Sequence, residues 1–170
     1  MGGRRALLPM NLTLVTQAGR DLDAVRDLFL EYGESLAFNT CFGGFDEELA
    51  GLPGDYAAPG GVLLLAREGP RVAGCIAVRP VDSETCEMRR LFVRPAFRGA
   101  GIGRSLAVTA LTRAEGLGYH RMCLETLPTM MEARSLYASL GFRPCAPYYD
   151  NRAMGSDCFE LLLRNVTRDR

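Results

Sequence analysis

The segment Arg98-Gly-Ala-Gly101-Ile-Gly103 limits what this chain can fold into more than any other stretch. It follows an apolar run, Cys86 to Val93, that reads as a strand and stops at Pro95. It precedes a helical pattern through Leu106, Ala110 and Leu111 that the glycines of Gly116-Leu-Gly118 close. Glycines at such a junction let the backbone approach a ligand closely, and the unbonded amides of a helix N-terminus attract anions. A phosphate or pyrophosphate is the natural guest. Three phosphate-loop patterns compete. A Walker A loop needs GxxxxGK, but Arg98 stands where its first glycine belongs and the chain has no lysine. A Rossmann fingerprint needs GxGxxG, and Arg104 occupies the place of its third glycine. The third pattern, Arg or Gln followed by xxGxG or xxGxA, is met by Arg98, Gly101 and Gly103.

The remaining periodicities place this junction in a larger order. Asn11–Thr16 alternates as a strand, and Asp21–Leu36 sets Leu22, Val25, Leu28, Phe29, Tyr32 and Leu36 at helical spacing. A second short helix is expected over Gly43–Leu49, then a loop through Tyr56. Val62–Arg67 and Val72–Val78 form a hairpin around Glu68-Gly-Pro-Arg71, ahead of the Cys86–Val93 strand. After the glycine-loop helix come a strand at Met122–Thr126, a helix at Met130–Leu140 capped by Gly141, and strands at Phe142–Cys145 and Phe159–Leu163. Strand, two helices, three strands, helix, strand, helix and two strands describe a mixed α/β sheet flanked by helices.

At 170 residues one domain is expected, over 10–170, with residues 1–9 a disordered leader or an alternative start before Met10. Twenty arginines balance twenty acids, and a net charge of zero argues against a nucleic-acid or membrane-surface binder. No window approaches the roughly 18 apolar residues of a membrane span. The six cysteines (Cys41, Cys75, Cys86, Cys123, Cys145, Cys158) are far apart, which argues against a metal site and points to buried thiols of a cytoplasmic protein.

Two segments together carry a resemblance. Leu91-Phe-Val-Arg-Pro-Ala-Phe-Arg-Gly-Ala-Gly-Ile-Gly-Arg-Ser105 resembles the acetyl-CoA motif of the GNAT superfamily of N-acetyltransferases, and Ala133-Arg-Ser-Leu-Tyr-Ala-Ser-Leu-Gly-Phe142 resembles its AxxLYxxLGF segment. The resemblance implies the GNAT fold, an α/β (α+β) arrangement with a mixed, mostly antiparallel sheet of about seven strands and about four helices. It implies acetyl-CoA as co-substrate, no metal, and a monomer or homodimer. The strand end at Leu91, Phe92 and Val93 would carry a bulge that pairs with the pantetheine arm. Amides of Arg98, Gly99, Ala100, Gly101, Ile102, Gly103 and Arg104 would hold the pyrophosphate. Many relatives have an asparagine where this chain has Met130, so that cofactor contact is missing.

Acetyl transfer to an amine needs an unprotonated amine, a donor for the carbonyl oxygen and a proton for the departing thiolate. Tyr137 matches the tyrosine that sits beside the sulfur in relatives and is the candidate acid. Glu87, eleven residues before Arg98, matches the base glutamate of the histone acetyltransferase branch. It shares a strand face with Arg89, so an ion pair is the alternative. Neither Cys86 nor Cys123 has an evident activator, which favours direct attack over a covalent route. His120 starts a strand and reads as a surface residue.

Asp21–Tyr56 holds nine acids and one base, whereas Met88–Arg113 holds six arginines and no acid. An anionic cofactor on the second segment and a cationic amine near the first would fit. Glu34, Asp46 and Glu47 are the substrate candidates, joined by Tyr148, Tyr149 and Asp150, whose rings and charge suit an amine. The leading reading is an N-acetyltransferase acting on a small or peptidic amine. A non-catalytic acyl-CoA-binding sensor or interaction module on the same fold is the alternative.

Overall fold

The computed structural model describes residues 9–36, 44–148 and 155–163. Its strands are β1 (Met10–Leu14), β2 (Val62–Glu68), β3 (Arg71–Pro80), β4 (Thr85–Val93), β5 (Arg121–Thr126), β6 (Arg143–Pro144) and β7 (Asp157–Leu162). Its helices are α1 (Arg20–Ser35), α2 (Phe45–Ala50), α3 (Ile102–Gly116) and α4 (Met131–Ser139), with 3-10 turns at Gly54–Tyr56 and Pro95–Phe97. The strands form one sheet in the order β1-β2-β3-β4-β5-β7-β6, antiparallel everywhere except at β4–β5. This is the mixed seven-stranded sheet with four helices that the resemblance implies.

Both faces of the sheet are covered, which explains why β2 reads as an unbroken apolar run rather than an alternation. Val62, Leu64, Ile76, Val78 and Met88 pack with Leu106, Ala107, Ala110 and Ala114 of α3. Leu63, Leu65, Cys75 and Ala77 pack with Leu22, Val25, Leu28 and Phe29, the i, i+3, i+6, i+7 stripe of α1. The expected element ends move by a residue or two. The Phe142–Cys145 strand shrinks to Arg143–Pro144, although the Cys145 amide still donates to the Cys158 carbonyl at 2.9 Å. The short second helix begins at Phe45, and Gly43 lies outside the described residues. Among the described residues no helix is long and apolar enough to cross a membrane.

Two irregularities in β4 shape the molecule. First, the β3–β4 register passes from Ala77↔Arg89 to Cys75↔Phe92, so Arg90 and Leu91 both oppose Ile76. This bulge falls in the strand that was expected to carry one and includes Leu91. Arg90 takes a left-handed φ of 57°, unusual for a residue with a side chain. Gly74 faces the distorted stretch, and a Cβ there would stand 2.5 Å from the Phe92 carbonyl oxygen, so only glycine fits. Second, β4 and β5 pair only from Thr85–Met88 to Arg121–Leu124, after which the parallel strands part. The later residues of β4 keep β3 on one side and an open edge on the other.

Candidate active site

The N-terminus of α3 stands at the end of β4, where a Cβ added at Gly103 would lie 3.7 Å from Val93 Cγ2. Gly101, with φ 79°, caps the helix without a side-chain hydrogen bond. The Ser105 amide is the first to find a helical partner, the Gly101 carbonyl at 3.0 Å. The amides of Ile102, Gly103 and Arg104 belong to the first turn, where no i−4 carbonyl exists for them within the helix. Cβ atoms added at Gly99 or Gly101 would meet nothing within 4 Å, so the approach to these amides is clear. Ala100 is exposed beside them. Arg98 folds back to donate from Nε to the Val93 carbonyl at 2.9 Å, and Arg104 donates to Ser139 Oγ at 2.9 Å. Leu91 and Val93 lean on the α3 side of the sheet, whereas Phe92 is buried on the α1 side against the edge of Tyr32.

On the α1–α2 side a cavity of about 580 Å³ opens over β3, β4 and β5. Glu87 lies at its floor, 1% exposed. Arg79, its register partner on β3, donates from Nε to Glu87 Oε1 at 2.8 Å, and the Tyr148 hydroxyl donates to Glu87 Oε2. Arg89 Nε stands 3.8 Å from Oε1. The ion-pair alternative for Glu87 is therefore realised, with Arg79 as the close partner and Arg89 as the distant one.

A second charge cluster closes the α2 side. Arg90 donates from Nε to Glu48 Oε2 at 2.8 Å and from Nη2 to Oε1 at 3.3 Å, and the Tyr56 hydroxyl donates to Oε1 at 2.9 Å. Burial alone would raise the Glu48 carboxyl. The hydrogen bond and charge of Arg90, with the charge of Arg89, outweigh it and hold the group below the ordinary glutamate range. Burial raises the Tyr56 and Tyr32 phenols.

Tyr137 is buried on α4, edge-on to Phe142 with ring centroids 5.8 Å apart. Its side chain is outside the cavity lining, and burial raises its phenol, so it stays protonated. Among the described residues its hydroxyl has no hydrogen-bond partner, yet no buried side-chain oxygen is left unbonded, so this oxygen retains access to solvent.

The substrate candidates separate. Glu47 lines the cavity; Glu34 and Asp46 are exposed outside it; Tyr148 touches Glu87; Tyr149 and Asp150 lie outside the described residues. Met130 lines the cavity and accepts from Thr126 Oγ1 at 3.7 Å. Burial pushes Cys86 and Cys123 up to about 12, the opposite of an activated nucleophile. His120 is exposed at the start of β5.

Arg79, Arg90, Glu48 and Glu125 were not singled out from the sequence, and Arg89 only as an ion-pair partner of Glu87, yet all line the cavity. The one available signal was the charged triplet Glu87, Arg89 and Arg90 inside an otherwise apolar strand.

A bulged strand parting from its parallel neighbour beside bare helix amides defines a cleft open to an extended, anion-bearing ligand. Comparison with known proteins gives that cleft its class. Residues 22–142 match the model of the acetyltransferase (GNAT) family, and the chain belongs to it. It is 38% identical over 146 residues to an uncharacterized N-acetyltransferase of Schizosaccharomyces pombe, covering 84% of this chain and 90% of that one. An uncharacterized N-acetyltransferase of Escherichia coli is 31% identical over 121 residues, 69% of this chain and 71% of its own. Among solved structures, an acetyltransferase from Streptococcus agalactiae superposes with a TM-score of 0.77 at 20% identity, over 91% of this chain and 98% of the other. A GNAT acetyltransferase from Elizabethkingia anophelis with acetyl-CoA bound gives 0.65 at 19% identity, over 91% and 98%.

Proposed function

We propose that the chain transfers an acetyl group from acetyl-CoA to a primary amine of a small molecule or peptide by direct attack. The observation that carries this reading is the joined geometry of the cleft. The bare amides of α3 stand against Val93 at the open end of β4, and Glu87–Arg90 of the same strand line a cavity floored by a carboxylate. The residues fit acetyl-CoA: an extended amide-bearing arm suits a free strand edge, and a pyrophosphate suits amides at a helix N-terminus.

Bound acetyl-CoA supplies the thioester whose C–S bond breaks as the amine nitrogen bonds to the carbonyl carbon. In this reading the amides from Arg98 to Arg104 hold the pyrophosphate and Leu91–Val93 align the arm. Tyr137 keeps a proton at Oη for the sulfur. Glu87 takes the proton of the amine, and because Arg79 and Tyr148 engage its two oxygens, that proton travels through the Tyr148 hydroxyl or a water. Glu47 offers negative charge to an incoming ammonium. Buried free thiols at Cys75, Cys86 and Cys123 support a cytoplasmic setting.

Thiol release from acetyl-CoA, measured over amines, polyamines, amino acids and peptide N-termini, tests the reading. Release with at least one class, reduced in Tyr137→Phe, is the expected result. Tight CoA binding with no release by any amine would instead fit a non-catalytic acyl-CoA-binding module, the reading that the engaged oxygens of Glu87 favour.

A further inference from the structure

The cavity floor carries a guanidinium edge that the proposed reaction leaves unused. Three guanidiniums, Arg79, Arg89 and Arg90, and three carboxylates, Glu48, Glu87 and Glu125, line the cavity behind the rim, and the arginines differ in how they are engaged. Arg90 is 5% exposed and commits two nitrogens to Glu48. Arg89 spans the two carboxylates at 3.5 and 3.8 Å. Arg79 differs from both. Its side chain is 29% exposed and lines the cavity, its Nε is held by Glu87, and its Nη1 and Nη2 meet no acceptor among the described residues. A guanidinium presents a flat fork of donors that matches a carboxylate in bidentate fashion. Here a buried glutamate fixes the base of that fork at the strand end and leaves its outer edge open.

From this we infer that the acceptor amine also carries a carboxylate, which Arg79 binds, so that the substrate is an α-amino acid or the like. The inference rests on the acetyl-transfer reading and names the class of its second substrate. An α-amino acid holds opposite charges two bonds apart. The adjoining Arg79 and Glu87 present the complementary charges side by side, carboxylate against Arg79 and amine toward Glu87. The open edge of Arg79 is then filled by the ligand, and the acidic rim at Glu47 and Asp55 is left to attract the ammonium. A diamine or polyamine would place a second cation against Arg79 and is disfavoured on the same grounds.

The test compares each of a panel of amino acids with its own amide and its decarboxylated amine, using the full chain and acetyl-CoA. Wild type, Arg79→Gln and Arg79→Lys are measured for kcat and KM, with amino-acid binding to the CoA-loaded chain followed by calorimetry. For wild type the KM of the preferred amino acid lies about 10- to 100-fold below that of its amide, the range of a lost charged hydrogen bond. Arg79→Gln abolishes the difference, Arg79→Lys keeps part of it, and the KM for acetyl-CoA stays within about twofold in both. Amides or decarboxylated amines that react as well as amino acids with wild type would overturn the inference while leaving acetyl transfer standing. So would an Arg79→Gln effect equal on both partners of a pair. Selective binding of amino acids without thiol release would do the reverse, retaining the carboxylate site and removing the reaction. The wild-type comparison decides the matter even where Arg79→Gln fails to fold.

Discussion

Replacing Arg90 with methionine removes a guanidinium held between the rings of Tyr32 and Phe45, at 5.7 and 5.2 Å, while keeping most of its stem. The backbone φ of 57° stays equally awkward for either residue, so strain cancels from the comparison. Glu48, 17% exposed, is left with the Tyr56 hydroxyl at 2.9 Å and Arg89 at 3.5 Å. Breaking a fully buried pair costs about 3–5 kcal/mol; two surviving partners and residual exposure bring the expected loss to about 2–3 kcal/mol. For a domain of this size that is a fall in Tm of roughly 5–10 °C. The pH dependence gives the sharper test. Because the folded-state pKa of Glu48 is depressed, its contribution is complete above the ordinary glutamate value of about 4.3 and disappears as pH falls through the lower folded value. In Arg90→Met burial prevails, the folded pKa moves up, and the variant gains stability relative to wild type as acid is added. Urea denaturation of both proteins between about pH 7.5 and pH 4 should therefore show the gap narrowing on the acid side. A gap of constant size, or one below about 1 kcal/mol at neutral pH, would refute the assignment of Glu48 as an anion held by Arg90.

Three further outcomes are expected. Gly101→Glu places a carboxylate among the α3 amides where its Cβ touches nothing, so stability falls only by the left-handed backbone cost of about 1–2 kcal/mol while CoA affinity collapses; unchanged affinity in a titration would sink the pyrophosphate assignment. Tyr137→Phe lowers kcat with little change in Tm or in the KM for acetyl-CoA, because the lost hydroxyl makes no hydrogen bond among the described residues; equal falls in kcat and Tm would make it a packing residue. Glu87→Gln lowers the rate at neutral pH, and the deficit shrinks at high pH where the amine loses its proton unaided. A pH-independent deficit would leave Glu87 as the holder of Arg79 alone.

The element order was legible because each segment has its own period and its own stops: glycines after α3 and α4, the Glu68-Gly-Pro-Arg71 turn between β2 and β3. Side-chain partnerships were less so, for reasons that lie in register and docking. Periodicity pairs Glu87 with Arg89 on one face, but the closer partner, Arg79, depends on how many residues between β3 and β4 stay unpaired. On α2 three consecutive acids, Asp46, Glu47 and Glu48, look alike in sequence, and only the docked rotation of a six-residue helix turns Glu48 inward to Arg90 and leaves Asp46 in solvent. The exact place of the bulge within β4 was hidden for a related reason. Its position follows from the close approach at Gly74 and from the capture of the Arg90 side chain by Glu48, contacts between segments far apart in the chain.

The charge division of the sequence takes on a different meaning through these contacts. The acid-rich stretch before the sheet and the arginine-rich stretch of β4 and α3 suggest two separate surfaces, one for a cation and one for an anion. In the folded chain much of that charge meets itself. Glu31 of α1 takes Arg94 through three contacts of 2.7 to 3.2 Å, and Glu48 of α2 takes Arg90. These pairs fasten the two helices across the end of β4, where the strand is distorted and its open edge begins. Arg98, too, is turned back on the Val93 carbonyl. In the proposed reaction, anion attraction at the glycine loop falls to the backbone amides of α3, which need no side-chain charge, and the selectivity for the acceptor falls to charges that these pairs do not take up. Those are Glu47 and Asp55 at the rim and the open edge of Arg79 at the floor.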